Sequence, residues 1–130
     1  MRIEFPYNLS QPDPEADAFI RDHILSGASL PEEQLAAWYR HMQQSLPFPF
    51  KAFMLVDQTP TSKSYRQVII KRMAEVSRCG PLQLWVHGKL ASYEDVYFYF
   101  FLADMSSVDK IEAYKPVYHW KYWLQKQQII

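Results

Sequence analysis

The sequence predicts an α+β fold, with two N-terminal helices, a four- to five-stranded antiparallel sheet or half-open barrel, and one C-terminal helix. Three observations predict it. Residues 13–46 set apolar side chains at helical spacing between Pro and Gly stops. Residues 51–102 break into short runs that alternate or are continuously apolar, separated by polar, Pro- or Gly-containing turns. Residues 116–126 return to a helix whose surface is largely aromatic.

In the leader, residues 1–12, Ile3, Phe5 and Tyr7 alternate with polar residues or Pro6, the pattern of a short strand that proline confines to a sheet edge. Asp13-Pro14-Glu15 starts a helix: Asp can cap it, Pro fits the first position, and Glu suits the positive end of the helix dipole. Ala16, Phe19, Ile20, His23 and Ile24 share one face, and Gly27 supplies the left-handed stop. Ser29 to Glu32 has capping-box spacing for a second helix, with Leu35, Trp38, Tyr39, Met42 and Leu46 on its apolar face. Pro47 and Pro49 end it and push the residues before them into extended backbone.

Strands are expected at 51–57, 65–76, 82–87 and 96–102. In the second, Val68, Ile70 and Arg72 share a face; in the third, Leu84 and Val86 point inward. The fourth is apolar on both faces and reads as covered on both. Residues 103–109 read as a turn. Pro116 has no N–H to give a helix interior, so the last helix is expected to begin there.

Composition narrows the function classes. A chain of 130 residues, 48% of them hydrophobic, is one domain by length and can bury a core without metal or disulfide support. Cys79, the single cysteine, excludes an internal disulfide. The formal net charge of zero gives no global attraction to nucleic acid or an anionic membrane. The charge is uneven, with seven acids and three bases in residues 1–50 and seven acids and eleven bases in residues 51–130. The longest uncharged apolar run, 96–103, is far short of the roughly 20 residues of a membrane span. The acidic, weakly apolar N-terminus is no targeting signal, so a soluble cytoplasmic protein is expected, with neither membrane nor nucleic-acid partner.

No motif for catalysis emerges. His23, His41, His87 and His119 lack a second His or Cys at zinc spacing, so each reads as a packed or surface side chain. Cys79 has no neighbouring base and reads as an unreactive thiol. No nucleophile–base pair and no paired carboxylates stand out, so the chain is expected not to be an enzyme. The bases Lys63, Arg66, Lys71, Arg72 and Arg78 around Tyr65 read as a solvated strand face. Asp104 and Asp109 flank a hydroxyl-bearing turn, the oxygen-rich chemistry that hard cations prefer, without the spacing of an EF-hand. Glu94 and Asp95 precede the fourth strand.

Several stretches together carry a resemblance. They are Ala37-Trp38-Tyr39, Leu46-Pro47-Phe48-Pro49-Phe50-Lys51-Ala52, Val68-Ile69-Ile70-Lys71-Arg72-Met73-Ala74, the run from Phe101 to Asp109, and His119-Trp120-Lys121-Tyr122-Trp123. Over residues 35–125 the chain resembles the small bacterial calcium-binding protein family first known from cyanobacteria. Residues 1–34 then form a helical addition to a single domain. The resemblance implies a helix, a Phe-Pro-Phe strand entry, an antiparallel sheet or half-open barrel, and an aromatic closing helix. The family's run of acids after its Met-Ala element is here Glu75-Val76-Ser77-Arg78-Cys79-Gly80, and His119 stands where an acid precedes the tail Trp. The acids remaining in matching regions, Glu75, Asp104 and Asp109, are the metal ligands the resemblance implies, with calcium as the ion.

The functional expectation is a non-enzymatic protein that binds calcium weakly, no tighter than about 10⁻⁴–10⁻³ M. The alternative is a protein-interaction module that has lost metal binding and pairs with itself or with a protein partner. Exposed members of the set Trp85, Tyr97, Tyr99, Trp120 and Trp123 would anchor it.

Overall fold

A computed structural model describes residues 2–6, 8–58, 61–91 and 96–128. Tyr7, Glu94 and Asp95 lie outside the described residues. The architecture is α+β: a six-stranded antiparallel sheet with three helical elements packed on one face. The strands are β1 (Ile3–Glu4), β2 (Phe50–Gln58), β3 (Lys63–Met73), β4 (Trp85–Leu90), β5 (Tyr97–Phe101) and β6 (Met105–Val108). Their order across the sheet is β1-β6-β2-β3-β4-β5. Helix α1 spans Pro14–Phe19 and continues as a π turn over Ile20–Ile24; α2 spans Pro31–Ser45 and α3 Ile111–Gln128.

The helix starts follow local chemistry. Asp13 accepts the Ala16 N–H at 3.0 Å, and Pro14 takes the position where a missing N–H costs nothing. Gly27, at φ +80°, turns the chain toward α2 in a conformation that suits glycine. The second cap lies one residue later than the Ser29 spacing suggests: Leu30 is the N-cap, and the Glu33 carboxylate accepts its N–H at 3.0 Å. Leucine has no acceptor, so only this half of the reciprocal capping box exists.

The short leader strand expected at a sheet edge is found there as β1. Three features of the sheet differ from the sequence expectation. The residues read as a turn at 103–109 hold β6, which pairs with both β1 and β2. Met-Ser-Ser-Val hides its strand character because Ser107, though polar, is fully buried and accepts from the Arg2 guanidinium at 3.0 Å. On β3, Val68 and Ile70 point inward, but the next buried residue is Met73 rather than Arg72. The register against β4 shifts between Ile70 and Arg72, and an extra residue in one strand flips every side chain beyond it. Finally, the apolar run of β5 is not covered on both faces. It forms the sheet edge, and Tyr97 and Phe98 are 47% and 41% exposed.

Helix α3 also begins a turn earlier than expected, at Ile111, with Pro116 inside it. One lost hydrogen bond is tolerated because the helix buries Ala113, Val117, Trp120, Tyr122 and Leu124. Trp38 of α2 meets Trp120 edge-on at 5.2 Å and Trp123 at 5.4 Å, which seals α2 to α3. The Tyr39 hydroxyl donates to the Ala74 carbonyl at 2.6 Å and ties α2 to the end of β3. The start of the chain is tied to α3 by two tyrosines. Tyr118 donates to Asp13 at 2.7 Å, Tyr122 donates to Asp17 at 3.0 Å and accepts the Asp13 N–H at 3.0 Å, and Lys126 donates to Asp17 at 2.8 Å. The Tyr118 bond and the Ala16 N–H hold the Asp13 carboxyl below the usual carboxylate range. None of the helices in the described residues is long and apolar enough to cross a membrane.

Gly88 sits mid-sheet, paired with Ile70 on one side and Phe98 on the other. A Cβ there would lie 2.5 Å from the Ile69 carbonyl oxygen and 3.2 Å from the Ile70 Cα, both backbone atoms in a paired strand. Gly88→Ala is therefore expected to destabilise the fold by about 1–3 kcal/mol. A thermal melt checks this, since roughly 3–5 °C is lost per kcal/mol in a chain of this size. An unchanged midpoint would show that β3 and β4 can separate locally without penalty.

Candidate metal centre

The three carboxylates singled out by sequence occupy three separate environments. Glu75 follows β3 and opens the short 3-10 turn Val76–Arg78. Its two oxygens accept from Arg72 at 3.3 Å and from the Tyr99 hydroxyl at 3.2 Å. The Arg78 guanidinium lies over the Tyr99 ring at 3.8 Å. A backbone hydrogen bond, with further bonds from Tyr99 and Arg72, keeps the Glu75 carboxyl below its ordinary range. This acid closes the β3–β5 side of the sheet.

Asp109 lies on the other side of β3, just past β6. Its Oδ1 accepts the Lys51 N–H at 2.9 Å, and its own N–H donates to the Lys51 carbonyl at 3.0 Å. The reciprocal pair extends the β2–β6 ladder by one rung, so Asp109 acts there as a side-chain continuation of backbone pairing.

Asp104 ends the 3-10 turn Leu102–Asp104 between β5 and β6 and is partly buried. Burial raises its carboxyl above the usual range, and the charge of Lys121 opposes that rise. The Lys121 ammonium donates to the carbonyls of Ala103 and Met105, both at 2.8 Å. Burial lowers the Lys121 ammonium from its ordinary range, and the Asp104 charge works against that effect. The group borders a cleft of about 750 Å³ whose polar lining includes Arg2, Glu4, Asp104, Ser106, Lys121 and Gln125.

Sequence reasoning passed over Lys121, yet a signal was there. The residue falls four after Val117 and three before Leu124, inside the apolar stripe of α3, where an uncompensated charge would be costly.

Calcium is bound by six to eight oxygens drawn from several carboxylates, carbonyls and waters. Among the described residues, no three His, Cys, Asp or Glu side chains gather where they could hold a metal ion. Glu75, Asp104 and Asp109 are not brought together, and each is engaged by donors or by a neighbouring cation. They do not fit a shared calcium cage.

His41 and His119 both ring Phe19, at 6.0 and 4.8 Å between centroids. The buried His41 Nε2 and His119 Nδ1 have no hydrogen-bond partner among the described residues. His41 Nδ1 lies 3.3 Å from the Ser45 hydroxyl one helical turn on. Among the described residues no group bonds the Nε2 of that imidazole, whereas a base that activates a nucleophile is itself oriented by a third group. The Cys79 sulfur accepts the Trp85 N–H at 3.5 Å, and burial pushes its thiol up, away from the thiolate. Of the basic residues around Tyr65, Arg66, Lys71 and Arg72 are exposed to solvent.

A family described as calcium binding, the CcbP type, matches residues 19–124. The chain belongs to this calcium-binding CcbP family. Two solved structures share its fold. The crystal structure of Anabaena CcbP is 23% identical, with 88% of this chain and 92% of that chain covered at a TM-score of 0.72. A calcium-binding protein in its calcium-binding form is 22% identical, with 88% and 93% covered at a TM-score of 0.76. No curated protein matches the chain. The CcbP family match runs from the end of α1 to the last turns of α3 and so takes in strands β2 to β6 and the sites of all three carboxylates.

The histidines make a pH dependence expected of this CcbP member. Burial lowers both imidazoles from their ordinary value, and each is lowered further by a nearby base, His119 for His41 and Lys115 for His119. The unfolded chain, with imidazoles near 6.5, takes up protons before the folded chain does. Their contribution is therefore fully present above about pH 6.5 and is lost as the pH falls below it. Melting temperature should drop between neutral pH and about pH 5. The drop should be smaller in a His41→Gln/His119→Gln variant. An equal drop in both proteins would assign the acid sensitivity to other groups.

Proposed function

We propose that this chain is a non-enzymatic calcium-binding protein of low affinity. The observation that carries the reading is membership of the calcium-binding family across residues 19–124. The low affinity follows from the dispersed carboxylates: among the described residues no three acidic side chains gather, so a bound ion must complete most of its shell with carbonyls and water. Ligand charge and site rigidity set calcium affinity, and sites so poor in both fall at about 10⁻⁴–10⁻³ M or weaker. Isothermal titration of calcium into the folded protein at low salt is expected to show a shallow, low-enthalpy isotherm saturating in the millimolar range. A flat trace through millimolar calcium would sink the reading, and a micromolar site would mean that the acids assemble around the ion.

A second reading draws on the sheet edge. Among the described residues strand β5 has β4 on one side and no strand on the other, and the exposed Tyr97 and Phe98 lie along it, with Val96 exposed just before them. An extended segment of a second chain could add there as a further strand, with main-chain bonds supplying affinity and the two rings supplying anchors. Trp120 is withdrawn from that role because it is buried. Sedimentation velocity over a wide concentration range should show self-association that a Phe98→Lys substitution abolishes. A monomer at every concentration removes pairing between copies.

A further inference from the structure

We infer that the ammonium of Lys121 holds the cation position at the β5–β6 turn, so that the oxygens a hard metal ion would use there are already taken by a charge built into α3. The turn has the makings of a cation site. The carbonyls of Ala103 and Met105, on either side of Asp104, converge on one point. Carbonyl and carboxylate oxygens are the ligands that hard cations prefer. The point they converge on is the lysine nitrogen, 2.8 Å from each carbonyl oxygen.

The surroundings explain why the charge stays. The ammonium enters from the apolar stripe of α3 and lies 5.4 Å from the centre of the Phe5 ring. Two carbonyl dipoles, the Asp104 charge and an aromatic face replace the water it has left. The same contacts close the turn, because one side chain of α3 ties the residue before Asp104 to the residue after it.

A calcium ion could not share this position. Its oxygens stand at about 2.3–2.6 Å, so the carbonyls would have to close in and the lysine would have to leave. A divalent ion beside a retained ammonium would meet a like charge across a few ångströms in a partly desolvated cleft. The inference does not depend on the calcium reading proposed above. It states that any calcium this chain binds is held away from Asp104, and that the turn is held by an internal cation whether or not calcium is present.

The test compares calcium titrations of the parent, Asp104→Asn, Lys121→Met, and the double variant. Asp104→Asn is expected to leave the parent's calcium response within twofold. Lys121→Met, which keeps the stem and removes the charge, is expected to tighten calcium binding by about tenfold or to create it where the parent shows none. The double variant should return to the parent's behaviour. A parent response that weakens severalfold on Asp104→Asn overturns the inference, because the ion would then sit at the turn despite the lysine. A Lys121→Met protein that folds and gains nothing also overturns it.

Should Lys121→Met not fold, the parent alone decides by nuclear magnetic resonance of its lysine ammonium groups, with Lys121 assigned through its own side-chain carbons. A slowly exchanging ammonium signal, coupled to the carbonyl carbons of residues 103 and 105 and unmoved by millimolar calcium, is expected. A Lys121 signal that exchanges like a solvent lysine, or that calcium shifts or erases, overturns the inference. Because this measurement reads the lysine directly, its outcome stands even if the protein binds no calcium at all.

Discussion

Helix α3 must hide an aromatic and aliphatic face that no single neighbour is wide enough to cover. Trp120 has Trp38 on one side and Trp123 on another, while Ala113 and Val117 belong to the same core as Met54, Val68 and Ile70 of the sheet. Fully burying one large apolar side chain is worth about 1.5–3 kcal/mol, and the ring pairs add a fraction more. The sum exceeds what a proline inside the helix takes away, which is why Pro116 is carried without breaking the helix. Helix α2 depends on this seam, since its buried Trp38 and Met42 need α3 as one wall. The sheet depends on it too, because β6 runs directly into α3 and is held from behind by Lys121.

Much of the fold was legible because its elements announce themselves locally. Asp13-Pro14, Gly27, Pro31 and Pro47 act through their own backbone geometry, and the structure places helix ends at or beside each. Alternation located β3 and β4 for the same reason, since inward and outward side chains differ in kind. The misread parts depend on what lies beside a strand rather than within it. A register shift near Lys71 cannot be seen in the residues of β3 alone, and it put Met73 where Arg72 was expected. An apolar strand looks the same whether it is central or at an edge, so the composition of β5 could not reveal its exposure. Strand β6 escaped notice because a buried serine satisfied by a distant arginine reads as surface.

The site was less legible for a related reason. Family membership transfers a fold with some security, but a cation site is a matter of convergence among side chains. Glu75, Asp104 and Asp109 resemble ligands when read one at a time. In space they serve an ion-paired corner, a turn and a strand rung. What governs the turn at Asp104 is a lysine from a helix late in the chain, a pairing that no spacing rule connects. A charged residue on an otherwise apolar helical stripe is the local sign that such a partner exists.

The clasp between α1 and α3 has one more consequence. Asp13 and Asp17, near one end of the chain, are held by Tyr118, Tyr122 and Lys126 near the other. The contacts span more than a hundred positions, so they form only when nearly the whole chain is in place, and they contribute little to the earliest steps of folding. Once made, they turn an open chain into something closer to a loop. The first helix and the last then lose their contacts with the core together, and the parts of the chain that would ordinarily fray independently become one cooperative unit.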